Sequence, residues 1–235
     1  MTLVEHLVEL RNRLIKASIA LLITTALSFA FATYLVDIIA VPIGGRQELQ
    51  AIDITENMGV FMRVSLISGV VLAMPVIVYQ VLMFLVPGLT RDERRYLWFV
   101  VPGASILFLL GVLFAYFIML PVAVPFLTSF LNIPTRPRPS TYFGFVTRLM
   151  FWIGLAFETP LVLAFLARLG IVTPQKLKQY RKYAIVAIAA IAAAITPTVD
   201  PVNMLLVMAP LMVLYEFGVL LSRFTYRQRT GGQRE

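Results

Sequence analysis

ASIALLITTALSFAFATYLVDIIAV, residues 17–41, runs for 25 residues with a single charge, Asp37. As a helix rising 1.5 Å per residue it extends about 37 Å, longer than the ~30 Å of hydrocarbon in a bilayer. It lacks the strict apolar/polar alternation of a half-buried strand. The stretch therefore reads as a helix whose surroundings are lipid.

Five more apolar blocks follow, at residues 61–86, 97–120, 143–169, 183–195 and 202–221. The first four blocks reach the ~20 residues that a membrane crossing needs. The fifth, with about 13 residues, gives only ~20 Å of helix. Two readings of it stay open: a re-entrant hairpin with the sixth block, or a true span in a locally thinned bilayer. The link Thr196-Pro197-Thr198-Val199-Asp200-Pro201 forces a tight turn under either. The expected fold class is an all-α integral membrane protein of six transmembrane helices, the fifth and sixth short. Residues 1–235 are expected to form one membrane domain, since no polar linker divides them.

Composition agrees. Apolar residues make up 60% of the chain and charged ones 14%, where soluble domains carry about 25% charge. The net charge of +8 does not point to nucleic acid, because the basic residues flank the apolar blocks. With six spans and a cytoplasmic N-terminus, 15 of the 20 Lys and Arg fall on the cytoplasmic side, leaving Arg46, Arg63, Arg136, Arg138 and Arg148 outside. The positive-inside rule then puts both termini in the cytoplasm.

Punctuation supports the helices. Thr2-Leu3-Val4-Glu5 is a capping-box pattern, and Leu3, Leu7, Leu10 and Leu14 follow at helical spacing, so helix 1 starts as an amphipathic stretch before the lipid. Pro87-Gly88 closes the second block, and Thr90-Arg91-Asp92-Glu93 opens the third with a second capping box. Thr173-Pro174 supplies an N-cap and first helical residue for a short basic helix. Pro75, Pro102, Pro160 and Pro210 fall inside spans and are expected to kink them. The two long outside loops, residues 42–60 and 121–142, are expected to fold as a cap of short helices.

Chemistry is sparse. There is no cysteine and one histidine, His6, so neither thiol catalysis nor a metal centre has its ligands. No phosphate loop or nucleophile elbow is present, and no enzyme or cofactor is expected. His6 on the amphipathic helix reads as a structural residue. Glu5 and Glu9 lie one turn apart. Glu9 also precedes Arg13 by four residues, the spacing of an ordinary intrahelical pair. Asp92 and Glu93 suit a first helical turn on electrostatic grounds alone. Glu158 and Glu216 stand out, because an ionisable residue within a span is costly and points to function. Glu158 lies ten residues before Arg168, near mid-bilayer; a protonated carboxyl bonded between helices, with Gln80 as partner, is the structural alternative.

Taken in order, these residues resemble a known family. Glu5-His6-Leu7-Val8-Glu9-Leu10-Arg11-Asn12-Arg13-Leu14 is similar to the N-terminal signature of TatC proteins. Pro75-Val76-Ile77-Val78-Tyr79-Gln80, then Phe84, Pro87 and Glu93-Arg94-Arg95, resemble the family's second span and first cytoplasmic loop. Phe114-Ala115-Tyr116-Phe117, Phe157-Glu158 with Pro160, and Tyr215-Glu216 with Gly218, Ser222-Arg223-Phe224 continue the match. The chain departs at Thr196-Pro197-Thr198-Val199-Asp200-Pro201-Val202-Asn203, where family members commonly read Thr-Pro-Pro-Asp; Asp200 and Asn203 are the stand-ins.

The resemblance implies a receptor for twin-arginine signal peptides. Such a receptor works with single-span TatA and TatB subunits, as an oligomer, to export folded proteins across a bacterial-type cytoplasmic membrane. It implies that Glu9 and Glu93 hold the paired arginines, with Phe84, Arg94 and Arg11 beside them. It also implies that Glu158 lines an intramembrane groove, shared here with Gln80 and Glu216, and that Pro42 and Asp200 serve on the outside. The competing reading is a proton-coupled small-molecule transporter with Glu158 and Glu216 as its relay. Many transporters are built from internal repeats, and the two halves of this sequence show no convincing similarity.

Overall fold

The computed structural model describes residues 3–85, 91–129, 135–196 and 201–231, and of these the side chains at 3, 85, 91–99, 202–203 and 227–231 lie outside the description. Every regular element among the described residues is helical. Helix α1 spans Leu3–Ala40 and α2 Glu56–Leu85, with short 3-10 turns at Val41–Ile43 and Arg46–Glu48 between them. Helix α3 covers Arg91–Phe114, a π-helical turn Ala115–Met119 follows, and α4 covers Leu120–Ser129. Then come α5 (Pro139–Phe157), α6 (Thr159–Arg168), α7 (Pro174–Gln179), α8 (Arg181–Ile195) and α9 (Pro201–Gly231).

Five stretches among the described residues are long and apolar enough to cross a membrane: Val4–Ile43, Glu56–Phe84, Val100–Ser129, Pro139–Arg168 and Met204–Tyr226. Large apolar side chains such as Leu22 (69% exposed) and Phe31 (64%) face outward along α1. In water such a surface would drive aggregation. In lipid it is the ordinary outer face of a span, so the chain is an α-helical, multi-pass membrane protein.

Three boundaries differ from the sequence reading. The third block does not end at Leu120, because the helix continues to Ser129 through the π turn. Pro121 and Pro125 lack N–H groups, and widening the turn ahead of Pro121 lets the helix absorb the missing bond instead of stopping. The expected loop 121–142 therefore begins as helix. The last helix is not short, since α9 has 31 residues and carries its polar end on to Gly231. Of the last two only α8, with 15 residues, is short.

Prolines act unequally. Pro75, Pro102 and Pro210 sit within continuous helices. Pro160 breaks one, because its missing N–H leaves Ala156 without its helical donor, and the backbone tightens so that Glu158 N–H donates to Leu155 O at 3.2 Å.

The chain folds as two compact units, one of residues 1–109 and 128–147, the other of 110–127 and 148–235. In the first, α1 packs along α2. Their closest approach is at Gly69, where an added Cβ would meet the Thr25 Cα at 2.7 Å and its Oγ1 at 2.3 Å. The Thr24 hydroxyl donates to Gly69 O at 2.8 Å across the same crossing, and Phe29 meets Phe61 at 5.5 Å between centroids. At the C-terminal end of α1, the buried Tyr142 hydroxyl donates to Ile39 O at 2.8 Å.

The segments expected to form a cap do fold onto one another. Gln50 N–H donates to Pro137 O at 3.2 Å. Arg138 ion-pairs with Asp53, and its Nε donates to Glu56 Oε1 at 2.8 Å. The same carboxylate accepts from the Ser140 hydroxyl and, through Oε2, from Ile52 N–H at 2.9 Å. Hydrogen bonds to Asp53 and then Glu56 push the Arg138 guanidinium further above its already high range. Beside this node lies a cavity of about 440 Å³ lined by Thr33, Arg46, Asn57, Phe61 and Pro139 among others.

In the second unit, α9 packs against α6, α8 and α7. The Thr225 hydroxyl donates to Ala164 O at 3.0 Å, and Tyr215 donates to Leu177 O at 2.7 Å. Gly111 is a second close approach, its absent Cβ only 2.8 Å from the Gly154 Cα.

Candidate functional site

Helix α1 is uninterrupted by glycine or proline, which holds Glu9 and Arg13 one turn apart on one face. Arg13 Nη2 donates to Glu9 Oε1 at 3.1 Å. Its other terminal nitrogen, Nη1, donates to Gln80 Oε1 on α2 at 3.3 Å. One guanidinium thus spans two acceptors on two helices, and the geometry suits its planar fork. Both partners in the ion pair are largely covered, with side-chain exposures of 21% for Arg13 and 18% for Glu9. Gln80 is buried. The second carboxylate oxygen, Glu9 Oε2, is out of contact with solvent and has no hydrogen-bond partner among the described residues. A buried carboxylate oxygen left in that state is a receptive acceptor for a cationic donor.

Phe84, near the end of α2, is half-buried, and the His6 ring stacks on it with centroids 4.3 Å apart and planes inclined by 25°. His6 thus joins α1 to the neighbourhood that Phe84 was expected to serve. Arg11 is exposed and borders a shallow apolar groove along α1 with Leu7, Leu10 and Leu14. Glu93 and Arg94 fall in the first turn of α3, and their side chains lie outside the described residues. Described side chains therefore bring Glu9 and Gln80 together through Arg13, and place Phe84 against His6.

The other candidates are elsewhere. Glu158 sits in the turn between α5 and α6, and its Oε1 is buried without a hydrogen-bond partner among the described residues. Gln80, the alternative partner named for it, gives its carbonyl oxygen to Arg13. Glu216 is exposed and accepts from Arg181 Nη2 at 2.6 Å, an ion pair that ties α9 to the start of α8. Pro42 lies half-buried inside the 3-10 turn that closes α1. Asp200 lies outside the described residues, as does the Asn203 side chain. Among the described residues no group of His, Cys, Asp and Glu could hold a metal ion.

Sequence reasoning missed two elements. The Gln80 to Arg13 bond joins residues 67 positions apart, and a long-range pair of this kind leaves no periodic trace. The Arg138, Asp53 and Glu56 node joins two loops over a similar distance; only the acids on the first loop and the arginines on the second hinted at it.

Known proteins resemble this chain along nearly its whole length. The family model described as Sec-independent protein translocase protein (TatC) matches residues 5–210. A Sec-independent protein translocase protein TatC from Aquifex aeolicus is 39% identical over 236 residues, covering 97% of this chain and 98% of the relative. TatCy from Bacillus subtilis is 37% identical, covering 97% of this chain and 91% of the relative. A crystal structure of the twin-arginine translocase receptor TatC superposes with a TM-score of 0.83 at 39% identity, covering 94% of this chain and 99% of that one. A second, in the detergent DDM, gives 0.85 at 38% identity with 92% and 99% coverage. The order and spacing of the motifs, the helical membrane fold and these likenesses agree, and the chain belongs to the TatC family of Sec-independent protein translocases.

Proposed function

We propose that this chain is the receptor for twin-arginine signal peptides and the core of a translocase that moves folded proteins across the cytoplasmic membrane. The observation that carries the reading is Glu9, a largely covered carboxylate with one oxygen unsatisfied, set on the basic N-terminal face of the chain. Carboxylates meet guanidinium groups bidentately in a way that lysine does not reproduce. Glu93 at the start of α3 is the second receptor carboxylate, with Phe84, Arg94 and Arg11 around the pair, and Pro42 and Asp200 serve on the opposite face.

Both termini face the cytoplasm, on the strength of the 15 basic residues that six spans would place there. The partners are single-span subunits of the TatA and TatB type, membrane lipid, and the signal peptides of folded cargo, in an oligomeric complex. Glu158 belongs to a groove that receives the apolar part of the signal peptide. A solute transporter relayed through Glu158 and Glu216 draws less support, because Glu216 is engaged by Arg181.

Binding of a synthetic twin-arginine peptide to the purified chain tests the proposal. Glu9→Gln and Glu93→Gln are each expected to weaken it by about tenfold or more, since a charge-assisted hydrogen bond contributes roughly 1.5–3 kcal/mol. Unchanged affinity in both variants overturns the assignment.

A further inference from the structure

The receptor carboxylate is already occupied by an arginine of the chain's own. Arg13 reaches Glu9 Oε1 at 3.1 Å with one nitrogen and Gln80 Oε1 at 3.3 Å with the other. The remaining oxygen of Glu9 is closed to solvent. A peptide arginine arriving from the cytoplasm therefore reaches this unsatisfied oxygen only once the resident Arg13 moves aside. Binding requires exchange.

We infer that Arg13 is an internal stand-in for one of the peptide's arginines, and that signal-peptide binding displaces its guanidinium from the Glu9 and Gln80 acceptors. This rests on the receptor reading above and deepens it. Exchange of one guanidinium for another conserves the ion pair and the hydrogen bonds to Glu9 Oε1 and Gln80 Oε1, so these two acceptors are paired before and after and the swap is close to balanced. A lysine offers a compact ammonium in place of the fork. It can take over the bond to Glu9 but leaves the buried Gln80 oxygen unpaired, a loss that the displaced Arg13 would reverse by returning. The pair of acceptors on two helices, with a resident arginine to beat, discriminates arginine from lysine more sharply than a bare carboxylate would. It also keeps the receptor closed to stray cations, which must outcompete a guanidinium already tethered one turn away.

The experiment measures affinity of the full chain, purified in detergent, for a synthetic twin-arginine signal peptide and for the versions with lysine at either arginine. Arg13→Gln removes the competitor, and tighter binding of the twin-arginine peptide by about threefold or more is expected. The ratio of arginine to lysine affinity at one of the two positions is expected to fall in Gln80→Leu, which deletes the second acceptor. Arg13→Lys retains the charge without the fork and carries the same expectation as Arg13→Gln, so the test stands if that variant fails to fold. Equal or weaker twin-arginine binding in Arg13 variants whose thermal unfolding matches the wild type overturns the inference, because Arg13 then serves only to hold Glu9 in place. A wild-type chain that fails to bind the twin-arginine peptide overturns the receptor reading itself, which separates the two failures.

Discussion

Glu56 shows how much a single side chain can organise in this fold. It is 7% exposed, opens α2, and gathers the Ile52 amide, the Ser140 hydroxyl and the Arg138 guanidinium around one carboxylate. Glu56→Gln keeps the volume but replaces an acceptor-only group with one whose NH₂ faces donors, leaving buried groups unpaired. The expected result is a lowered melting temperature and faster proteolysis within residues 46–55, with peptide affinity unchanged because Glu9 and Gln80 lie at the other end of α1 and α2. Loss of peptide affinity without loss of stability would show that the node acts on binding. Glu93→Arg belongs to the same scale. It should depress twin-arginine binding further than Glu93→Gln, since repulsion is added to lost attraction, and titration of both variants against one peptide checks the order.

Elements were legible where the signal is local and failed where it is not. The first apolar block predicted an end at Val41, and α1 ends at Ala40; the fifth predicted a short helix, and α8 has 15 residues. Both follow from apolar runs with local stop signals, Pro42 and Gly44 after the first and Lys182 and Thr196 around the fifth. The overrun of the third helix was hidden because two prolines spoke for a stop, and only the π turn shows how the chain passes them. The site divides in the same way. Glu9 and Arg13 are readable from their spacing, whereas Gln80 enters only when α2 lies against α1. That crossing depends on Gly69. Gly69→Ala would drive a methyl group into the Thr25 backbone and separate the helices. Overpacking of this kind costs about 1–3 kcal/mol. Thermal unfolding should register the loss, and the altered α1–α2 spacing should also change twin-arginine affinity through the Gln80 bond. A Gly69→Ala variant with wild-type stability would mean the crossing relaxes without effect.

For the whole chain, the short α8 and the distribution of charge make two physical demands. A helix of 15 residues is about 22 Å long, less than the hydrocarbon thickness, so the bilayer is expected to thin beside it at a cost of fractions of a kcal/mol per Å. Lengthening α8 by one turn of alanine and leucine should reduce transport while leaving peptide binding intact, as measured by export of a reporter and by titration of the purified variant. Orientation is tested directly because the chain has no cysteine of its own. Single cysteines at positions 92 and 178 should be protected from an impermeant reagent applied to intact cells, and one at position 136 should be labelled. Labelling at 92 from outside would overturn the proposed orientation.

Helix α1 has one more consequence. Its 38 residues contain neither glycine nor proline, so it runs as one unbroken helix of about 57 Å, anchored near its far end by the Tyr142 hydroxyl on Ile39. With no glycine or proline to act as a hinge, a displacement where Glu9 and Arg13 lie is expected to be passed along the helix toward the Pro42 turn, much as a spindle turns both its ends together. On the receptor reading proposed above, peptide binding at Glu9 would then bear on the Pro42 turn without any relay of side chains between them. A flexible glycine pair introduced midway along α1 should leave peptide affinity intact yet uncouple it from transport.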